Sequence, residues 1–258
     1  MLALKVEHIR KIYPSMHAKG QEVLAIDDIS LEVQKNEFCS ILGHSGCGKT
    51  TLLNLIAGFE EPTAGQIECA GKVVHGPGAD RSMVFQDYAL FPWLTVHDNI
   101  AFGLKVKGTG AAEIEKIVTR FAALVGLSQF INHYPHQLSG GMRQRVSIAR
   151  ALVVDPTVLL MDEPFAALDA QNRAMMQAEM IRILHEESKT VVLVTHSIEE
   201  AINLSDVIVV MTRRPGRVKE IIRVPEPRRM IEDTPAYLAI RRQIRDLIAG
   251  EHDVSEAI

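Results

Sequence analysis

The sequence predicts an α/β fold with a mostly parallel β-sheet, and three observations support that prediction. A short apolar run at residues 38–42 is followed by a glycine-rich loop and a helical pattern that stops at Gly58. A second apolar run, residues 158–161, ends in two carboxylates. Strand and helix patterns alternate between residues 156 and 211, as a mostly parallel sheet requires.

The loop after the first strand fits the pattern G-x-x-x-x-G-K-[ST], which binds phosphate when it joins a strand to a helix. Glycines allow a tight backbone that points N–H groups at phosphate oxygens, and the helix start adds its positive dipole end. A chance match is the alternative, but the flanking strand and helix argue against it. We therefore predict contacts to a nucleoside triphosphate from Gly43, His44, Ser45, Gly46, Cys47, Gly48, Lys49, Thr50 and Thr51.

The acidic pair after the second strand predicts the rest of the phosphate chemistry. Lys49 would reach the β- and γ-phosphates, and the Thr50 hydroxyl would complete the shell of a Mg²⁺ ion. Asp162 would hold that ion through water, and Glu163 would polarise the attacking water. An acidic cap on the following element is the alternative, and the phosphate loop weighs against it.

A second anion-binding turn is predicted in residues 138–145, which read Leu-Ser-Gly-Gly-Met-Arg-Gln-Arg. Ser139, Gly140 and Gly141 supply no apolar side chains, but they leave open backbone donors at a helix start. The residues that follow carry a helical apolar face that would anchor the turn. A simple helix cap is the alternative.

With these motifs in this order, the chain resembles the ATP-binding-cassette (ABC) ATPases over nearly all of its length. Three further places fit: Gln86 after an apolar strand, Ala167-Leu168-Asp169 beyond the acidic pair, and His196 after a strand at 191–194. The resemblance implies a P-loop NTPase fold with a RecA-like core, an antiparallel β sub-domain and an inserted α-helical sub-domain. It also implies that ATP, bound with Mg²⁺, is hydrolysed.

Residue roles follow from the resemblance as well. In that family, the residue matching Gln86 touches Mg²⁺ or the attacking water and signals to a membrane partner. Asp169 matches a loop that crosses a dimer interface, and His196 matches a contact to the γ-phosphate. Taken alone, a histidine after a strand is more often a capping residue. Two copies would pair head to tail, with each ATP between one phosphate loop and the 139–141 turn of the other copy.

Tyr13 matches the position at which the family stacks an aromatic ring on adenine, and a flat π-face suits that contact. Packing at the edge of the N-terminal sheet is the alternative. Cys47 lies inside the phosphate loop, where we expect structural tolerance of the thiol rather than a role in binding through its side chain.

The same patterns divide the chain. Residues 1–225 are predicted to form the ABC ATPase domain, which starts with antiparallel strands and includes a helical sub-domain at about 87–155. In that sub-domain, a helix predicted at 111–125 carries its apolar residues on one face. Residues 226–258 are predicted to be a short tail with a helix from about Pro235.

Composition narrows the class of protein. The 258 residues are 47% hydrophobic, enough for a full core, and the formal charge of −4 gives no broad basic surface for nucleic acid. The longest apolar run has five residues, far below the ~20 that cross a bilayer. We see no export signal and expect a cytoplasmic protein. The three cysteines lack metal-ligand spacing.

Residues 76–81, 90–96 and 211–217 look like segments of nitrate, sulfonate and taurine importer ATPases. Such a subunit works at the cytoplasmic face of the inner membrane with a permease, and a solute-binding protein selects the solute. Trp93 belongs to an apolar cluster that fits a groove for a permease helix, and local core packing is the alternative. The alternative functions are an exporter ATPase and a soluble ABC ATPase that acts on DNA or ribosomes.

Overall fold

The structure is a computed structural model that describes residues 1–14, 22–166, 168–225 and 234–249. The chain divides into two compact units. The first comprises Met1–Gly78 and the described residues from Thr190 onward, and the second comprises Ala79–Lys189. Among the described residues, no helix combines the length and the apolarity needed to cross a membrane.

Ten β-strands and seven α-helices are found in the described residues. The strands are β1 (Leu2–Pro14), β2 (Glu22–Gln34), β3 (Phe38–Leu42), β4 (Ala64–Cys69), β5 (Lys72–Val73), β6 (Arg81–Val84), β7 (Val158–Asp162), β8 (Thr190–Thr195), β9 (Val207–Met211) and β10 (Val218–Arg223). The helices are α1 (Lys49–Ala57), α2 (Val96–Val106), α3 (Ala111–Leu124), α4 (Gly140–Leu152), α5 (Ala170–Glu187), α6 (Ile198–Leu204) and α7 (Pro235–Ala249).

In the first unit, an antiparallel sheet has the strand order β2-β1-β4-β5. Strands β1 and β2 pair along their whole length, with register shifts that bend the two-stranded ribbon. Leu4 and Val6 of β1 are buried, while the residue between them is only partly buried, because alternate side chains of a strand face opposite sides. The predicted antiparallel N-terminal portion is confirmed.

The strands of the second sheet that belong to the first unit have the order β10-β9-β3-β8. Strand β3 is parallel to both β8 and β9, whereas β10 is antiparallel to β9. Every residue of β3, β8 and β9 is buried, as expected for parallel strands that are covered on both faces. The predicted strand at residues 38–42 and its parallel neighbours are confirmed.

The C-terminal helix α7 also belongs to the first unit. Its buried residues Tyr237, Ile240 and Ile244 share an apolar cluster with Leu42, the last residue of β3. The helix predicted from about Pro235 is therefore confirmed. The rest of the predicted tail, residues 226–233 and 250–258, lies outside the described residues, and the domain boundary at residue 225 stays a prediction.

In the second unit, β6 and β7 form a parallel pair, and helices α2, α3 and α4 pack on one another. Ile114, Val118 and Phe121 of α3 are buried and Ile117 is partly buried. This confirms the predicted apolar face of that helix. All three helices lie within residues 87–155, but the limits predicted for the helical sub-domain stay a prediction.

Candidate nucleotide-binding site

The phosphate loop joins the end of β3 at Leu42 to the start of α1 at Lys49. Gly46 (φ 77°) and Gly48 (φ 102°) lie in the left-handed region, where a side chain would strain the backbone. Gly48 also caps α1, and its carbonyl accepts a hydrogen bond from the Leu52 N–H at 2.8 Å. The loop therefore turns tightly and ends at a helix N-terminus, which is the arrangement that binds phosphate.

The segment that contains Gly216 lies directly against this loop. A Cβ atom at Gly216 would be 2.2 Å from the carbonyl oxygen of Cys47, so only glycine permits the approach. The Gly216 N–H donates to the Ala25 carbonyl at 2.9 Å, and the Gly216 carbonyl accepts from the Asp27 N–H at 3.0 Å. The sequence alone did not assign Gly216 this role, because a contact between residues so far apart leaves no local pattern.

The Lys49 side chain brings a buried positive charge into the loop, with the residue only 5% exposed. Its Nζ donates to the carbonyl oxygens of Gly43 and His44, each at 2.9 Å. Carbonyl oxygens do not neutralise an ammonium charge, and a buried charge without a counter-charge is costly. A triphosphate would supply that counter-charge, so the residues of the loop fit this group.

The residues predicted to hold Mg²⁺ are consistent with an ion that arrives with the nucleotide. Among the described residues, no group of three or more His, Cys, Asp or Glu side chains could hold a metal ion. Mg²⁺ usually keeps several waters and binds one or two carboxylates together with substrate phosphates. The predicted donors comprise one carboxylate, from Asp162, and two neutral oxygens, from Thr50 and Gln86. This set matches the coordination preference of Mg²⁺.

Strand β8 brings His196 to the same edge of the sheet as the phosphate loop. Leu42 lies opposite Thr195 in the parallel β3–β8 pair, so the loop and His196 directly follow paired residues. The Thr195 hydroxyl donates to Glu200 at 2.5 Å and accepts from the Ser197 N–H at 3.0 Å. These bonds fix the turn that presents the exposed His196.

Tyr13, near the end of β1, lies beside the first turn of α1. Its hydroxyl donates to Glu60 at 2.6 Å and is also hydrogen-bonded to Thr51. Nζ of Lys11 is 4.9 Å from the centroid of the Tyr13 ring. Burial, followed by the hydrogen bond to Glu60, raises the pKa of Tyr13 to about 12, so the phenol stays neutral at physiological pH. The ring is thus fixed beside the phosphate loop, and its stacking on adenine stays a prediction.

In the second unit, Gln86 and the acidic pair follow the same edge of the β6–β7 pair. Val84 lies opposite Met161, Gln86 comes two residues after β6, and Asp162 is the last residue of β7. Glu163 has a φ of 43°, a left-handed conformation that costs a non-glycine residue about 1–2 kcal/mol. Eight other non-glycine residues in the described part of the chain also have a positive φ, so the catalytic role of Glu163 stays a prediction.

The predicted second turn is a capped helix start. The Ser139 hydroxyl accepts a hydrogen bond from the Met142 N–H at 3.3 Å, and Gly140 and Gly141 are the first residues of α4. The apolar face that anchors the turn is buried, which confirms the predicted anchor; it consists of Val146, Ile148, Ala149, Ala151 and Leu152. Anion binding by this turn stays a prediction.

Asp169 immediately precedes α5 and is exposed. Its carbonyl accepts from the Arg173 N–H at 2.8 Å, and the Arg173 guanidinium donates to the Leu168 carbonyl at 3.0 Å. Ala167, the first residue of this predicted motif, lies outside the described residues. The exposure of Asp169 suits a residue that would contact a second copy of the chain.

The predicted site residues thus fall into two groups, one in each unit. The first unit holds Tyr13, His196 and the phosphate loop, which strand pairing and hydrogen bonds bring together. The second unit holds Gln86, Ser139, Gly140, Gly141, Asp162, Glu163 and Asp169.

An aromatic segment, residues 88–93, follows Gln86. Trp93 is 70% exposed, and the centroid of the Phe91 ring is 5.7 Å from that of Trp93 and 4.5 Å from that of Phe102. In the predicted apolar cluster, Tyr88, Leu90 and Phe91 are partly buried, whereas Pro92 and Trp93 are exposed. Local packing therefore accounts for part of the cluster but not for Trp93.

Asn99 holds the aromatic segment in place, a role that the sequence analysis missed. Its side chain is fully buried on α2, and its Oδ1 accepts from the Phe91 N–H at 2.9 Å. Its Nδ2 donates to the carbonyl oxygens of Phe91 and Leu94 at 3.1 Å and of Thr95 at 3.0 Å. A polar residue on the apolar face of a helix, three positions after Val96, was the available signal.

A tight glycine loop between a buried strand and a helix, together with a strand that ends in an acidic pair, defines a P-loop nucleotide hydrolase. Residues 26–166 match the model of the ABC transporter family, and the chain belongs to that family. An uncharacterized ABC transporter ATP-binding protein of Methanocaldococcus jannaschii is 50% identical over 248 residues, which cover 96% of this chain and 92% of the relative. The taurine import ATP-binding protein TauB of a Jannaschia species is 44% identical over 236 residues, which cover 89% and 88%.

Solved structures agree with the family. An ATP-binding cassette solved as a dimer in a post-hydrolysis state, bound to ADP and Pi, has a TM-score of 0.74 and 30% sequence identity to this chain. The match covers 86% of this chain and 99% of that one. The predicted ABC ATPase fold is confirmed, and the chain is an ATPase of the ABC transporter family.

The first prediction concerns the contact between Gly216 and the phosphate loop. We expect Gly216→Ala to lower the free energy of unfolding by about 1–3 kcal/mol and to weaken ATP binding, because the new methyl group overlaps the Cys47 carbonyl. Urea denaturation and an ATP titration measure the two effects. Gly76→Ala is the control, since its Cβ would meet nothing within 4 Å; equal behaviour of the two variants would contradict the prediction.

The second prediction concerns Asn99. We expect Asn99→Ala to lower the free energy of unfolding by about 1–3 kcal/mol, because it leaves buried backbone groups without partners. Trp93 is the single tryptophan of the chain, so its fluorescence anisotropy reports directly on the aromatic segment and should fall. The exposed Asn132→Ala is the control. An unchanged anisotropy in Asn99→Ala would show that Asn99 does not order the segment.

Proposed function

We propose that this chain is the ATP-binding and ATP-hydrolysing subunit of an importer that takes up a small solute such as nitrate, a sulfonate or taurine through a separate permease. The observation that carries the proposal is the 44% identity to TauB, a taurine import ATP-binding protein, over 89% of this chain. An importer is favoured over an exporter or a DNA- or ribosome-directed ATPase because the chain shares this similarity with an import subunit along most of its length.

In the proposed site, the phosphate loop holds the triphosphate, and Lys49 balances its charge from within the loop. Tyr13 would contact the adenine. Thr50, Gln86 and Asp162 would hold Mg²⁺, which neutralises charge on the phosphate oxygens when it is bound. The role proposed for each of these residues rests on the family resemblance and on the position of the residue at the end of a strand or in the loop.

For hydrolysis, we propose that the Glu163 carboxylate accepts a proton from the attacking water while His196 contacts the γ-phosphate. Glu163 directly follows Asp162, the last residue of β7, and its backbone is left-handed. His196 would respond to a movement of the phosphate loop, because the loop begins after Leu42 of β3 and His196 comes after Thr195 of β8, and these two residues are paired.

A second copy of the chain would complete each site. Ser139, Gly140 and Gly141 of one copy would face the phosphate loop of the other, with Asp169 at the shared interface. A related cassette was solved as a dimer with ADP and Pi. Closure of such a pair needs ATP to bind the closed state better than the open one, because a ligand shifts an equilibrium only through that difference.

The exposed aromatic segment would link the ATPase to the permease. Trp93 projects an apolar surface that suits a helix from a membrane protein, and Gln86 precedes the segment by two residues. The subunit would then lie at the cytoplasmic face of the inner membrane without crossing it. The solute would be selected by a solute-binding protein and the permease, so residues of this chain do not specify it.

We expect Glu163→Gln to bind ATP normally but to hydrolyse it at least about 100-fold more slowly, because an amide cannot accept the proton of the attacking water. Steady-state phosphate release measures the turnover. Glu113→Gln is the control, because Glu113 is an exposed carboxylate in the first turn of α3. Equal turnover in Glu163→Gln and the wild type would remove Glu163 from the mechanism.

We expect Trp93→Asp to lose the membrane partner and transport while its ATP affinity stays that of the wild type. Co-purification from solubilised native membranes, followed by mass spectrometry, identifies the proteins that remain bound. Val73→Asp, another exposed apolar position, is the control and should retain them. Recovery of the same permease with Trp93→Asp would contradict the proposed contact, and recovery of ribosomal or DNA-bound partners alone would contradict the importer.

A further inference from the structure

The last turn of α7 lies against the phosphate loop. Nε2 of His44, the second residue of the loop, is 3.2 Å from the carbonyl oxygen of Ile248, which lies 204 residues further along the chain. A carbonyl oxygen only accepts hydrogen bonds, so the His44 ring donates through Nε2. The phosphate loop is therefore tied to the C-terminal helix by a side chain of its own.

The same helix packs on the strand that leads into the loop. Tyr237, Ile240 and Ile244 of α7 share a buried apolar cluster with Leu42, the residue before the loop begins. Leu247 and Ile248 pack against the edge of that cluster. Because protein interiors are close-packed, a shift of α7 would be felt at the end of β3.

Polar contacts fix the position of α7 on the first unit. Lys219 of β10 donates to the Leu247 carbonyl at 2.5 Å, and Gln243 donates to Glu220 at 2.6 Å. The carbonyl groups at the end of a helix have no partner within the helix and must be satisfied from outside. Two of these carbonyls are satisfied by side chains, one from β10 and one from the phosphate loop.

We propose that α7 is a positioning element for nucleotide binding, which holds the phosphate loop in its binding conformation through the hydrogen bond from His44 to Ile248. The inference rests on the proposed assignment of residues 43–51 to triphosphate binding. By linkage, a ligand that stabilises this loop conformation also stabilises the end of α7, and loss of the α7 contact weakens the ligand by the same factor. His44 is thus a positioning residue, and the helix supplies its anchor.

The test compares single and double variants of the full chain. His44→Phe keeps a ring of similar size but removes the donor, whereas His44→Gln retains a donor at a similar reach. We expect His44→Phe to bind a fluorescent ATP analogue about threefold to tenfold more weakly, which corresponds to one neutral hydrogen bond. His44→Gln should bind within about twofold of the wild type. Ile244→Ala, which loosens α7, should weaken ATP binding when it is the single substitution. In a chain that already carries His44→Phe, it should weaken ATP binding little further.

Hydrogen exchange supplies a second readout. ATP would not change the exchange of α7 if His44 only stabilised the fold. In the wild type, ATP should slow amide exchange in residues 240–249, and in His44→Phe this protection should be lost. Wild-type affinity of His44→Phe, or equal protection of the helix in both chains, would overturn the inference. Lys49→Ala distinguishes the proposed triphosphate binding by the loop from the proposed role of α7, because it should abolish ATP binding whatever the state of α7. Unchanged affinity of Lys49→Ala would instead overturn the phosphate-loop assignment and the inference with it.

Discussion

The backbone conformation of the phosphate loop is the constraint on which the rest of the structure depends. Two left-handed glycines set its turn, and a third glycine, Gly216, lets a distant segment press against it. A buried lysine then places a positive charge against two carbonyl oxygens of the loop. Such a loop is useful only if it is rigid, because donors that are already oriented lose little entropy when phosphate binds. The surrounding strands and helices supply that rigidity.

Within each unit, the pairing of parallel strands explains why the predicted site residues lie together. Strands β3 and β8 pair with Leu42 opposite Thr195, so the phosphate loop and His196 leave the sheet together. In the second unit, the β6–β7 pair does the same for Gln86 and the acidic pair. The aromatic segment that follows Gln86 is held by the buried amide of Asn99 and by the Arg150 guanidinium, which donates to the carbonyl oxygens of Tyr88 and Ala89, and it presents Trp93 to solvent. In the proposed mechanism, this segment carries the state of the nucleotide to the permease.

Local signals made much of this predictable from sequence. The phosphate loop, the buried strand before it and the amphipathic face of α3 are each encoded within a few residues, so periodicity and glycine spacing were enough. Contacts between distant residues were not predictable. Gly216 against Cys47 and His44 against Ile248 each depend on how the chain folds back on itself. The hydrogen bonds of Asn99 are local, but which backbone groups they join depends on the path of the loop before α2. The exposure of Trp93 could not be predicted for another reason. An apolar run has the same sequence pattern in a protein core as at an interface.

The central claim is that ATP binds to this loop and is then enclosed by a second copy of the chain. Mass measurement by light scattering during size-exclusion chromatography of Glu163→Gln, with ATP and Mg²⁺, tests it most directly. We predict a particle of twice the 28.6 kDa of one chain that carries two ATP molecules and returns to the single-chain mass when ATP is removed. A chain that binds ATP but keeps the single-chain mass at all protein concentrations would contradict the account.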